Sequence, residues 1–204
     1  MMTYAIQTPE DVINDALARA GFIPRVNSIY EGTTLAKKAR DIYSQTRDDL
    51  IRNGEWEFAE RVVSGSLLKQ APGNGGYIVT PWTNAYPAPP WLFEYSYPSD
   101  CLKVRSVRYS AVFLPNFNPI YNRFSVENDN SYTPPVKVIL CDVPGAIVTY
   151  AAQVTDPTTW ETDFVEALSA ALARRFGAMK DLNTTQVETR DEDAEMRAAM
   201  DERG

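Results

Sequence analysis

At Arg61-Val62-Val63-Ser64-Gly65-Ser66-Leu67-Leu68 the helical periodicity of the preceding residues stops. β-Branched residues and leucines around a glycine read as strand, not as another amphipathic turn of helix. The helical period does not return before Val154. Leu92–Tyr97, Leu102–Tyr109, Arg123–Glu127, Val136–Leu140 and Ala146–Val154 read as further strands, separated by Pro- and Gly-rich loops at Pro72–Gly76, Pro87–Pro90 and Pro115–Pro119. Eleven of the fourteen prolines lie between Pro72 and Pro144, which excludes a long helix there and places several strands at sheet edges.

On either side the period is helical. Thr8 is an N-cap, Pro9 occupies the first helical position, and Glu10 and Asp11 face the positive end of the dipole. Val12, Ile13, Ala16, Leu17 and Ala20 mark one apolar face, Gly21 supplies a left-handed stop, and Pro24 prevents continuation. A second helix starts near Thr34, carries Leu35, Ala39, Ile42, Tyr43, Thr46 and Leu50 on one stripe, and ends at the left-handed signal Asn53-Gly54. After the strands, Asp156-Pro157 or Thr162 caps a helix whose stripe is Phe164, Val165, Leu168, Ala171, Leu172, Phe176 and Met179. A polar helix over 188–203 follows, with Met196 and Met200 on one side. The expected fold is α+β: a discontinuous helical bundle from residues 1–59 and 156–204, carrying an inserted, mostly antiparallel β domain over 60–155.

Composition removes several functions. The chain of 204 residues has no histidine, so neither a Ser-His-Asp or Cys-His triad nor a His-ligated metal site can be built within it. Cys101 and Cys141 stand alone in sequence and read as two free thiols. The net charge is −7, and the last twenty residues hold seven acidic side chains against three basic ones. The opening MMTYAIQTPEDV lacks the basic flank and apolar run of a signal peptide, and no stretch approaches the roughly 18 apolar residues of a membrane span. The expectation is a soluble protein of a reducing compartment, with no membrane partner.

Few constellations suggest chemistry. Gly73-Asn74-Gly75-Gly76 lacks the Lys-Ser/Thr of a phosphate loop and reads as a turn. Asp191-Glu192-Asp193 and Glu127-Asn128-Asp129-Asn130 lack EF-hand spacing and read as a solvated helix face and a solvated turn. A carboxylate pair for glycoside hydrolysis stays open, since its separation exists only in three dimensions. Trp82, Tyr86, Trp91, Phe93, Tyr95 and Tyr97 suit a sugar platform or a core with a subunit contact. Base stacking needs interleaved Lys and Arg, which residues 70–100 lack. The alternation Phe93-Glu94-Tyr95-Ser96-Tyr97 puts three rings on one strand face.

Four pieces in order resemble the tail tubular protein A family of podoviruses, the phage head-to-tail adaptors. The first is Val12-Ile13-Asn14-Asp15 with Leu17-Ala18, Gly21 and Pro24, running on to Ser28-Ile29-Tyr30-Glu31-Gly32. The second is Gly54-Glu55-Trp56-Glu57-Phe58, matching a Gly-x-Trp-x-Phe signature that closes the family's second helix. Phe93, Tyr95, Tyr97-Pro98 and Asp100-Cys101-Leu102 resemble a strand motif, and Thr155-Asp156-Pro157 through Phe164, Ala167, Leu168 and Leu172 a late helix. The likeness covers about residues 10–60 and 90–180. Loops 70–90 and 110–135 and the tail after 182 carry none.

The resemblance implies a structural protein without cofactor or enzymatic activity, located at the head-tail junction of a virion assembled in the host cytoplasm. Twelve copies would form a homo-oligomeric ring between the portal protein and the tail tube or nozzle. Double-stranded DNA would pass through the channel without sequence-specific binding, which suits an acidic chain. Gly21, Gly54, Trp56, Phe58 and Asp100 are the structural signature positions. Residues 182–204 are expected to dock on the portal through Val187, Arg190, Met196 and Met200, while Trp82, Tyr86 and Trp91 meet a neighbouring subunit or the tail. The competing expectation is a sugar-binding or carboxylate-dependent glycan-cleaving tail component.

Overall fold

Thr8 caps the first helix, α1 (Pro9–Arg19), through a reciprocal box. Its hydroxyl accepts from the Asp11 N–H at 3.2 Å, and the Asp11 carboxylate accepts from the Thr8 N–H at 3.1 Å. Gly21 takes the left-handed conformation, at φ 77°, and stops the helix as expected. The following loop is tied back to α1: Asn14 both donates to and accepts from the Val26 backbone, at 2.9 and 2.8 Å, and Glu10 accepts from the Ile29 N–H at 3.0 Å. The computed structural model describes residues 8–23, 25–72, 82–109 and 123–179. The expectations for Pro24, Gly73–Gly76, Pro115–Pro119 and the tail after residue 179 lie outside them.

The chain divides into two compact units, one of residues 1–50 with 155–204 and one of residues 51–154. The first holds α1, most of α2 (Thr34–Asn53), a short turn of 3-10 helix at Pro157–Thr159 capped by Asp156, and α3, helical from 162 to 179. Thr162 therefore begins α3 but does not cap it. Val12, Ile13, Ala16 and Leu17 of α1, Ala36, Ala39 and Tyr43 of α2, and Phe164, Leu168, Leu172 and Phe176 of α3 are all buried. Side chains distant in sequence meet within the unit. Arg19 grips Glu166 with two hydrogen bonds of 2.8 and 3.0 Å, and Trp160 stands edge-on to Phe164 at 5.0 Å while meeting Tyr43 at 6.5 Å.

Two details of α2 differ from the sequence reading. Ile42 and Leu50 are only half-buried, whereas Ala36, Arg47 and Ile51 are buried, so the core-facing stripe is rotated from the one read. Gly54 is not left-handed: among the described residues only Gly21 and Gly145 have positive φ. What keeps a side chain off Gly54 is the Trp56 indole, whose Cε2 would lie 2.8 Å from an added Cβ.

The second unit is built from two antiparallel sheets. One has the order β1-β7-β4 and the other β2-β3-β6-β5. The strands are β1 (Glu60–Ser64), β2 (Leu67–Gln70), β3 (Phe93–Ser96), β4 (Cys101–Tyr109), β5 (Phe124–Asp129), β6 (Val136–Cys141) and β7 (Ala146–Ala152). Tyr95, Val104, Val107, Ile139, Cys141, Val143, Val148 and Tyr150 form one buried cluster that draws on both sheets. The stretch 61–68, expected as one strand, is therefore two strands in different sheets. The Gly65 N–H donates to Ala146 at 2.7 Å, extending the ladder with β7, whereas the Ser66 carbonyl accepts from Ser96 of the other sheet at 2.9 Å. A Cβ on Gly65 would come within 2.7 Å of the Tyr95 ring, so glycine is needed where the chain changes sheet.

Candidate functional site

The second sheet carries a cavity of about 290 Å³ with an unusual charge cluster in its wall. Its origin is a bulge. In the β2–β3 ladder Leu67 pairs with Tyr95 and Lys69 with Glu94, so Leu68 is an extra residue on β2. The bulge places a lysine directly opposite a glutamate in the pleat. Alternation along β3 predicts that Glu94, between Phe93 and Tyr95, faces water, yet it is 1% exposed.

Lys69 Nζ forms a close ion pair with Asp129 Oδ2 at the end of β5, donates to Ser131 Oγ at 2.8 Å, and stands 5.0 Å over the Tyr132 ring. It stays 3.7 Å from Glu94 Oε2, and Glu94 Oε1 has no hydrogen-bond partner. Burial pushes the Glu94 carboxyl up to about 7 against the opposing pull of Lys69. Burial also acts to raise Asp129, but the hydrogen bonds from Lys69 and Ser131 outweigh it and hold this acid at about 2. Between about pH 2 and pH 7, one of the two acids on this ammonium is therefore ionised and the other protonated. Trp82, Asn84 and Tyr86 also line the cavity, as do Val138 and Leu140 of β6. The Trp82 indole is held by a 2.8 Å hydrogen bond to the Pro87 carbonyl.

A second surface lies along residues 60–70. β1 and β2 are outer strands of their respective sheets, and every residue of β1 is exposed. Val62 and Leu67 are each 51% exposed, with Val63 and Leu68 beside them. At the start of this ribbon an open groove is lined by Glu55, Trp56, Glu57, Glu60, Val62 and Arg105.

Compared with known proteins, the chain matches no family model and no curated protein.

The residues singled out from sequence fall in different settings. Trp82 and Tyr86 share the cavity, but Trp91 is buried against Val138 and Leu140, with Arg123 4.8 Å over its ring. Trp56 and Phe58 form a tilted pair at 6.5 Å, and Arg105 holds the same turn by donating to the Gly54 carbonyl. Asp100 accepts from the Tyr150 hydroxyl at 3.0 Å. Gly21 is the helix stop described above. Val187, Arg190, Met196 and Met200 lie outside the described residues. Glu127–Asn130, read as a solvated turn, contains Asp129 of the cluster, a correction whose cause is the lysine 60 residues away. Lys69 and Glu94 were missed altogether. For Glu94 the available signal was a charged residue inside the apolar stretch Leu92–Tyr97; Lys69 lies one residue past the strand read at Arg61–Leu68 and carried none.

Cys101 is half-buried and Cys141 buried; burial pushes the Cys141 thiol up to about 11, which suppresses its thiolate chemistry. Among the described residues, no group of three or more Cys, Asp and Glu is placed to hold a metal ion, and no helix is long and apolar enough to cross a membrane.

Proposed function

We propose that this chain is a structural head-to-tail adaptor of a phage virion, one subunit of a twelve-membered ring that joins the portal to the tail tube or nozzle. The observation that carries the reading is the 60–70 ribbon. One continuous segment supplies an outer strand to both sheets and turns Val62, Val63, Leu67 and Leu68 outward. Unprotected apolar edges of this kind promote strand pairing and aggregation unless another chain covers them. A ring of identical subunits needs such a surface, used head-to-tail. Arg19 of α1 bonded to Glu166 of α3, and Arg175 of α3 paired with Asp49 of α2, support a discontinuous helical bundle as the second element of the subunit, and the acidic chain suits a channel through which DNA slides.

In this reading the tail after residue 182 anchors the ring on the portal, and the protein has no catalytic turnover. Negative-stain images and light-scattering mass of the chain mixed with its portal test it. Closed rings seated on the portal are the expected result; a chain that stays monomeric and leaves the portal bare overturns the proposal.

One observation favours a second reading, a glycan-binding or glycan-cleaving tail component. Trp82 and Tyr86 share a cavity with Glu94 and Asp129, as a sugar subsite with two carboxylates would require. Glycan hydrolysis or binding by the purified chain, lost in Trp82→Ala, is its test.

A further inference from the structure

The cavity beside β2 and β3 contains a buried acid that the fold leaves half-satisfied. Lys69 directs its ammonium to Asp129 and Ser131, and Glu94 Oε1 is left without a donor although the residue is 1% exposed. A buried acceptor with no partner carries its full desolvation penalty, and a donor arriving from outside relieves it. We propose that this cavity binds a primary ammonium or guanidinium group, which donates to Glu94 and lies against the Trp82 and Tyr86 rings.

Charge and shape both select such a group. The charged groups facing the cavity are Lys69 from β2, Glu94 from β3, and Glu127 and Asp129 from β5, while β6 contributes the apolar Val138 and Leu140. Three carboxyl groups against one ammonium favour a cation and disfavour phosphate or carboxylate. The aromatic walls add the attraction of a ring face for a positive charge. At about 290 Å³ the cavity is at the small end of ligand sites, enough for an arginine or lysine head or a short diamine. The same chemistry comes either as a free small amine or as a basic side chain of a protein partner.

Binding draws on the ionised form of Glu94, whose carboxyl sits near 7 in the empty cavity. Cation binding therefore releases a proton, and affinity rises about tenfold from pH 6 to pH 8 if that single group is linked. Calorimetric titration of the full chain with putrescine and with the peptide Gly-Arg-Gly, at both pH values, tests this. Butane-1,4-diol and glucose serve as neutral probes.

Saturable binding of either cation, strengthening with pH, is the expected result. Putrescine alone assigns a free amine, and Gly-Arg-Gly alone assigns a side chain from a partner. Glu94→Gln should remove the pH dependence and most of the affinity, and Trp82→Ala, which takes away the ring and its hydrogen bond to Pro87, should weaken binding while circular dichroism still shows a folded chain. Absence of binding by both cations overturns the proposal. So does glucose binding where the cations fail, a result that returns the cavity to the glycan reading and leaves the adaptor reading untouched.

Discussion

Glu94 and Asp129 sit on one lysine, and their opposite shifts set the sign of a pH effect on stability. The Glu94 carboxyl rises from 4.5 to about 7 on folding, so its contribution is fully present below pH 4.5 and is lost as pH climbs through 7. Asp129 falls from 3.8 to about 2; its contribution is present above pH 3.8 and disappears as pH drops through 2. The cluster therefore stabilises the fold most near pH 4 to 5. Glu94→Gln is expected to flatten the alkaline limb and to exceed wild type at pH 8 by about 1–3 kcal/mol, read by urea denaturation across pH. A variant that tracks wild type at every pH would remove Glu94 from this role. Gly54 makes a second residue-scale case. Gly54→Ala drives a Cβ into the Trp56 indole and should cost about 1–3 kcal/mol, a loss partly restored when Trp56→Ala is added. Gly54 was legible as a special position, but the reason was not. A helix-stop signal is written in local sequence, whereas a collision with an indole two residues on depends on the path of the turn.

At the scale of the element, burial separates positions that periodicity treats alike. Leu172 of α3 is fully buried and Ile42 of α2 is half-buried, although both lie on apolar stripes. Leu172→Ala is expected to cost about 2–5 kcal/mol, while Ile42→Ala should cost less than half as much. Equal losses in denaturant melts would contradict this arrangement of α2. Thr8, Pro9 and Gly21 foretold α1 because capping acts within four residues. The β1–β2 break and the bulge at Leu68 were hidden in Arg61–Leu68, because an exposed apolar run says nothing of which sheet receives it. Lys69 opposite Glu94 is a consequence of that bulge, so the cavity's charge cluster was hidden with it.

For the whole molecule, the exposed ribbon and the acidic tail make separable predictions. Val62→Asp combined with Leu67→Asp should leave the melting temperature nearly unchanged, since both side chains are exposed, and should abolish higher assembly in light scattering. Assembly that survives the double substitution would place the subunit contact elsewhere. Deleting residues 185–204 should leave the circular dichroism melt intact and prevent attachment to the portal. Unchanged attachment would move the anchor to the helices or β loops. The class of structure was legible along the chain: helices at both ends, strands between, no histidine chemistry, and an acidic composition. These follow from period, caps and composition, which act over a few residues or over none. Folding settles the rest: that residues 60–70 edge both sheets, that Trp91 is core while Trp82 and Tyr86 line a cavity, and that Lys69 holds two acids of opposite character. Each of these depends on strand register and on groups 25 to 60 residues apart meeting in a low-dielectric wall, energies that no local stretch of chain contains.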